Sequence, residues 1–321
     1  MTSPAARGIV LLLGACAAGA ATAQNYPVKP IRVIVSFPPG GATDIFARAT
    51  AAEVTRSLGQ QVLVENRAGA GTTIAADLVA KAPADGYTLL FTDLSTHAIT
   101  TSLYPKLAYH PVRDFAPVAP INLSPLMLVS HPSVRARSVK EVVAMAKKHP
   151  GITSGHSGIG TVTHMTGELF RIRAGIQVTS VAYKGGSTPV VALLSGEVAM
   201  VMGTIPASIH YVRQGKLVGL GIAAERRSPY LPDMPTIGES IPGVEGAVFS
   251  ALLAPAGTPQ TIIQLLNAEF AKASASPKAK EVFATNVAEV VRMTPAELTQ
   301  RLARDVKNWA EVVKATGTTA N

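Results

Sequence analysis

Two glycine-rich segments hold the residues best suited to chemistry: Phe37-Pro-Pro-Gly-Gly-Ala-Thr-Asp44 and Ser154-Gly-His-Ser-Gly-Ile-Gly-Thr-Val-Thr-His164. Each follows an apolar strand and precedes an amphipathic helix. Glycine lets backbone approach a ligand with no Cβ in the way, and the first turn of the next helix carries unpaired N–H groups and partial positive charge. Neither segment contains Lys or Arg, so the charge complement comes from backbone. The chemistry this favours is capture of a small anion. The first helix is expected to be capped by Thr43 or Asp44 and to run to Leu58. The second segment opens a helix over 161–173.

Catalytic chemistry is the alternative. Gly155-His-Ser-Gly-Ile159 has the outline of a lipase-type nucleophile elbow around Ser157, but its fifth position is Ile where crowding of strand and helix requires Gly. Such a hydrolase also needs an acid and then a histidine after the serine. His210 is the last histidine, and only Glu168 and Glu197 lie between as acids. A secreted serine hydrolase using Ser157 stands as the alternative reading; no other catalytic residue is expected. Gly69-Ala-Gly71 and Gly158-Ile-Gly160 each lack the third glycine of a dinucleotide fingerprint, and there is no P-loop. One cysteine and seven histidines without His-x-x-x-His spacing supply no metal-ligand pattern, so neither metal nor cofactor is expected.

The elements that must position these segments alternate. Strands are expected at 31–36, 62–65, 88–92, 118–121, 126–130, 178–183, 198–202, 218–223 and 249–254. Helices are expected at 44–58, 72–81, 138–148, 161–173, 187–195, 205–214, 259–274, 277–285 and 295–315. Strands followed by helices at this spacing predict βαβ units and mostly parallel sheets, whose ligands bind at the strands' carboxyl ends. Both glycine segments sit at such ends. They are ~120 residues apart, which places them on different domains facing across a cleft.

The N-terminus reads as an export signal: Arg7 precedes the apolar run 9–21, and Ala21-Thr22-Ala23 offers a small-x-small cleavage site before Gln24. Leu13-Gly-Ala-Cys16 gives the competing reading of a lipoprotein acylated at Cys16. Cleavage after Ala23 leaves 298 of the 321 residues and no cysteine, so the fold must rest on core burial, in two domains of ordinary size. The formal charge of +9 becomes +8 on loss of Arg7, spread along the chain, with 5% aromatic residues and no interleaving of aromatic and basic runs. That composition argues against nucleic-acid binding and leaves charge the role of steering anions.

From Tyr26 to its end the chain resembles the Bug family, the substrate-binding proteins of tripartite tricarboxylate transporters. The resemblance rests on Tyr26-Pro-Val-Lys-Pro-Ile31, Phe37-Pro-Pro-Gly-Gly41 with Asp44, Val64-Glu-Asn-Arg67, Asp85-Gly-Tyr-Thr-Leu-Leu90, Ser157-Gly-Ile-Gly-Thr161 with His164, Tyr183-Lys-Gly185, Gly215-Lys-Leu217, Leu231-Pro-Asp-Met-Pro-Thr236 and Ala254-Pro-Ala-Gly-Thr-Pro259. It implies an α/β protein of two-domain periplasmic-binding-protein (Venus-flytrap) architecture, with the ligand cleft between domains. Residues 1–23 would be the signal peptide, 24–124 with 249–321 the first domain, and 125–248 the second. It further implies a periplasmic, monomeric receptor for a small organic acid, delivering it to the membrane permease subunits of a tripartite tricarboxylate transporter or reporting it to a signalling partner. The ligand carboxylate would lie between the loops, contacted by Phe37, Gly41, Ala42 and Asp44 from one side and by Ser157, Gly160, Thr161 and His164 from the other. His164 reads equally well as a packed residue. Lys184 is the nearest cation for a second carboxylate, and Thr92 and Ser95 reach the cleft by position or serve as loop caps. Ala199, where the family often has Asp, and Phe249, where Trp is common, bear on ligand identity.

Overall fold

A computed structural model describes residues 26–104 and 106–320, so the expected cleavage at Ala23 and the alternative anchor at Cys16 lie outside the described residues. The first half opens with β1 (Ile31–Val35), α1 (Ala42–Leu58), β2 (Val62–Asn66), α2 (Thr73–Ala80), β3 (Thr88–Asp93) and α3 (Leu94–Leu103). The long β4 (Phe115–Ser130) leads to α4 (Val139–Lys148), β5 (Ile152–His156), α5 (Val162–Ala174), β6 (Val178–Ala182), α6 (Thr188–Leu194), β7 (Met200–Thr204), α7 (Ile205–Arg213) and β8 (Val218–Ile222). The chain returns through β9 (Ala247–Pro255), α8 (Gln260–Ser274), α9 (Pro277–Thr285), β10 (Glu289–Val290) and α10 (Pro295–Thr316).

The strands form one continuous sheet in the order β2-β1-β3-β9-β4-β7-β5-β6, with β8 and β10 also pairing to β4. The expected parallel pairs are present on both flanks, β2-β1-β3 and β7-β5-β6, while β9, β10, β8 and β7 all meet β4 antiparallel. The sheet is therefore mixed at its centre. Val33 and Val35 pack against α1 and α8 on one face, and Ile34 faces α2 and α3 on the other. In the second half Leu126 and Leu128 face the α4 and α5 side, Met127 and Val129 the α6 and α7 side. This alternation is the period-two rule applied to strands buried on both faces, where each fully buried aliphatic side chain is worth about 1.5–3 kcal/mol.

Four elements differ from the sequence reading. The strands expected at 118–121 and 126–130 are one, β4, in which prolines 117 and 120 sit at register shifts that spare the ladder the N–H they lack. Residues through Pro125 pair with β9; from Leu126 the partners are β7 and β8. Helix α3, rich in Ser and Thr and not expected, is buried from Leu94 to Thr100 and starts at Asp93, whose carboxylate accepts from the Ser95 and Thr96 amides. Tertiary burial overrides the weak propensity of that segment. Strand β5 is not among the expected strands; it takes in Ser154, Gly155 and His156, so the second turn is only 157–161, and the two-residue β10 is likewise not expected.

Candidate functional site

The first loop leaves β1 at Ser36, whose hydroxyl pairs with Thr92 Oγ1 at 2.8 Å, turns at Gly40 with φ +78°, and enters α1 at Gly41. Gly41, not Thr43 or Asp44, is the N-cap, and it has no side chain to spend on the helix. The first-turn amides of α1 are thus left for another partner. Asp44 turns back to organise the loop: it accepts from the Gly40 amide (2.9 Å), Arg48 Nε (3.0 Å) and Asn66 Nδ2 (2.8 Å). Asn66 also donates to the Phe37 carbonyl at 3.0 Å. Burial alone would raise the Asp44 pKa, but Arg48, the Gly40 amide and Asn66 together hold it below the ordinary value.

The second loop spends most of its amides internally. The Ser157 amide donates to Thr163 Oγ1 (3.0 Å), Gly158 to His156 Nδ1 (3.2 Å) and Gly160 to His164 Nδ1 (3.2 Å). The two imidazoles stack with centroids 4.2 Å apart. Burial holds both below the ordinary histidine pKa, His156 down to about 3, to which the neighbouring His164 adds. Thr161 caps α5, and the Val162 amide donates across to Thr96 Oγ1 of α3 at 3.1 Å. Ser157 Oγ accepts from Thr163 Oγ1 at 3.1 Å, and its own hydrogen has no acceptor among the described residues.

Between the loops lies a narrow cavity of about 20 Å³. Of the residues named from sequence it brings together Phe37, Gly41, Ala42, Ser157 and Thr161. Asp44 supports the loop from behind, and Thr92 is buried against Ser36. Ser95 donates to the Ala247 carbonyl and lines a separate groove with Trp309. Gly160, at φ +75°, has no room for a Cβ because Leu103 of α3 packs on it, and His164 is a packed ring. Lys184 is exposed and does not line the cavity: its Tyr183-Lys-Gly loop turns Gly185 inward against Pro38 instead. Sequence reasoning missed Asp93, Thr96 and Thr204, which do line it. The signals were an Asp-x-Ser-Thr N-cap pattern after an apolar strand and Thr204 before Ile205-Pro206, a helix start. Asp93 accepts from the Ser95, Thr96 and Phe249 amides and from Thr96 Oγ1, while burial raises its pKa to about 6.

Residues 46–318 match the family described as tripartite tricarboxylate transporter family receptor. Protein BugT of Bordetella pertussis is 39% identical over 299 residues, covering 92% of each chain. Among solved structures, Rpa4515 of R. palustris with adipate superposes with a TM-score of 0.88 at 32% identity, covering 92% of this chain and 99% of that one. The periplasmic binding protein BugD superposes with a TM-score of 0.84 at 29% identity, covering 92% and 99%.

Proposed function

Because this chain belongs to the tripartite tricarboxylate transporter receptor family, with the two-domain α/β fold of periplasmic binding proteins, we propose that it is a periplasmic receptor that closes on the carboxylate of a small organic acid and hands it to a membrane permease. A signalling partner is the other destination the same capture would serve. No described helix is long and apolar enough to cross a membrane, which fits a receptor working with separate permease subunits. The observation that carries the binding reading is the open N-terminus of α1, aimed into the cavity opposite Ser157 and Thr161.

In this reading 24–124 with 249–321 and 125–248 are the two domains, and β4 and β9 are the strands that cross between them. A ligand carboxylate accepts from the first-turn amides of α1, Ala42 and Thr43, and from the Ser157 hydroxyl, whose hydrogen no acceptor among the described residues takes. Charge-assisted bonds of this kind are worth about 1.5–3 kcal/mol each, so three account for much of a micromolar affinity after ordering costs. Phe37 and Val162 wall off water and strengthen them. Closure wins by the difference between ligand contacts in the closed and open states. Asp44 and Gly160 act by shaping the loops. Ser157 serves as a donor, its hydroxyl partner being Thr163 and not a histidine.

Trp309, the single tryptophan, packs against cores of both halves and reports their relation. Titrating the leader-free protein with small carboxylates and the matching amides is expected to change Trp309 emission saturably with an acid and not with its amide. An equal response to both, or none to a broad panel of acids, overturns the carboxylate reading, and turnover of ester substrates that depends on Ser157 establishes the hydrolase instead.

A further inference from the structure

The cavity has an open set of backbone donors at one end and no cationic side chain among its described lining residues. At the α1 end the first-turn amides are uncapped. The other three helices that begin at the cavity offer less: on α3 the Ser95 and Thr96 amides are taken by Asp93. On α5 the Val162 amide is taken by Thr96 and the His164 amide by Thr161. On α7 a proline, Pro206, occupies the first turn and has no N–H to give. Among the described lining residues there is no Lys, Arg or His, and Asp93, the one ionisable side chain, already accepts four hydrogen bonds. With the α1 amides taken by the first carboxylate, a second buried here would meet no cation and would lie beside the Asp93 carboxylate, and an unpaired buried charge is strongly disfavoured.

One polar group at the cavity is unspent. Thr204 is only 7% exposed and lines the cavity, and its Oγ1 has no hydrogen-bond partner among the described residues. Threonine at a helix N-cap ordinarily bonds its own first turn, yet Thr204 makes no such bond to α7. A buried hydroxyl without a partner is the kind of group a ligand satisfies.

Building on the receptor reading above, we propose that Thr204 is a specificity-determining residue whose hydroxyl pairs with an uncharged hydroxyl or carbonyl oxygen of the ligand, so that the site takes a hydroxy- or oxo-monocarboxylate in preference to a dicarboxylate. The α1 amides hold the carboxylate and Thr204 reads the neutral oxygen. A site built to hydrogen-bond a substrate oxygen rejects the analogue lacking it far more strongly than an apolar pocket rejects a missing methylene.

Calorimetry on the leader-free protein tests this, with two- to five-carbon 2-hydroxy and 2-oxo acids, their unsubstituted analogues, and succinate and adipate as probes. The wild type is expected to bind a hydroxy or oxo acid at least tenfold more tightly than its unsubstituted analogue or either dicarboxylate. Thr204→Val is expected to remove about tenfold of that affinity and leave the unsubstituted acid unchanged, with Thr204→Ser keeping most of it. Equal loss for substituted and unsubstituted acids, or tighter binding of a dicarboxylate by the wild type, overturns the inference while leaving the receptor reading standing. No binding of any carboxylate by the wild type overturns both. If the valine variant does not fold, the wild-type ranking and the serine variant still decide.

Discussion

Asp44 ties the first loop together by joining the Gly40 amide, Arg48 and Asn66, and Asn66 in turn holds the Phe37 carbonyl. Asp44→Ala leaves Asn66 and the Gly40 amide without this acceptor. It is expected to cost about 1–3 kcal/mol in urea unfolding, with ligand affinity falling because the α1 amides lose their fixed position. Asp44→Asn should recover part of the stability, and a variant as stable as wild type would remove Asp44 from this role. The residue was legible in the sequence, but its partner was not. An acid at a helix start reads as a cap, whereas Asn66 comes from β2 and only the β1–β2 pairing brings it within reach.

At the scale of elements, α3 explains why position 160 of the second loop is glycine. Leu103 fills the space a Gly160 Cβ would occupy, Thr96 accepts from the first turn of α5, and Pro38 packs so closely on Gly185 that a Cβ there would meet Pro38 Cγ at 2.7 Å. These contacts join the two halves independently of any ligand. Gly160→Ala combines a left-handed φ of +75° with that collision and is expected to destabilise by roughly 1–3 kcal/mol. In a urea double-mutant cycle Leu103→Ala relieves the collision but not the backbone strain, so the pair should be non-additive by at least ~0.5 kcal/mol. Strict additivity would show that Leu103 does not set the requirement for glycine.

The whole molecule is expected to be acid-sensitive. Burial pushes His97 down to about 4 and His156 down to about 3, and lowers His164 as well. These groups are neutral in the fold and take up protons near 6.5 when unfolded, so their contribution is complete above pH 6.5 and is lost as pH falls toward the folded values. Asp93, raised by burial to about 6, acts in the opposite sense, gaining stability as pH falls through the range below 6, and Asp305, also raised by burial, acts in the same direction. Three histidines against two carboxylates leave a net loss. The melting temperature is expected to be lower at pH 4.5 than at pH 7.5. Replacing His156 and His164 together by Asn, which keeps an acceptor for the Gly158 and Gly160 amides, should flatten the slope. A melting temperature independent of pH would contradict this balance.

The sequence by itself determined the α/β class, the resemblance to one family and the position of both glycine loops at strand ends. Those follow from local signals: β-branched runs, helical periodicity, and turns that need glycine. It also supplied five of the residues that meet at the cavity, Phe37, Gly41, Ala42, Ser157 and Thr161. Only the tertiary structure decided that β4 is one strand spanning both halves, that α3 is a buried helix, and that Thr96, Asp93 and Thr204 face the same space. The physical reason is that these depend on partners far away in the chain. Ser and Thr have weak helix propensity until burial fixes them, and a hydroxyl shows whether it is satisfied only when everything within hydrogen-bond distance is in place.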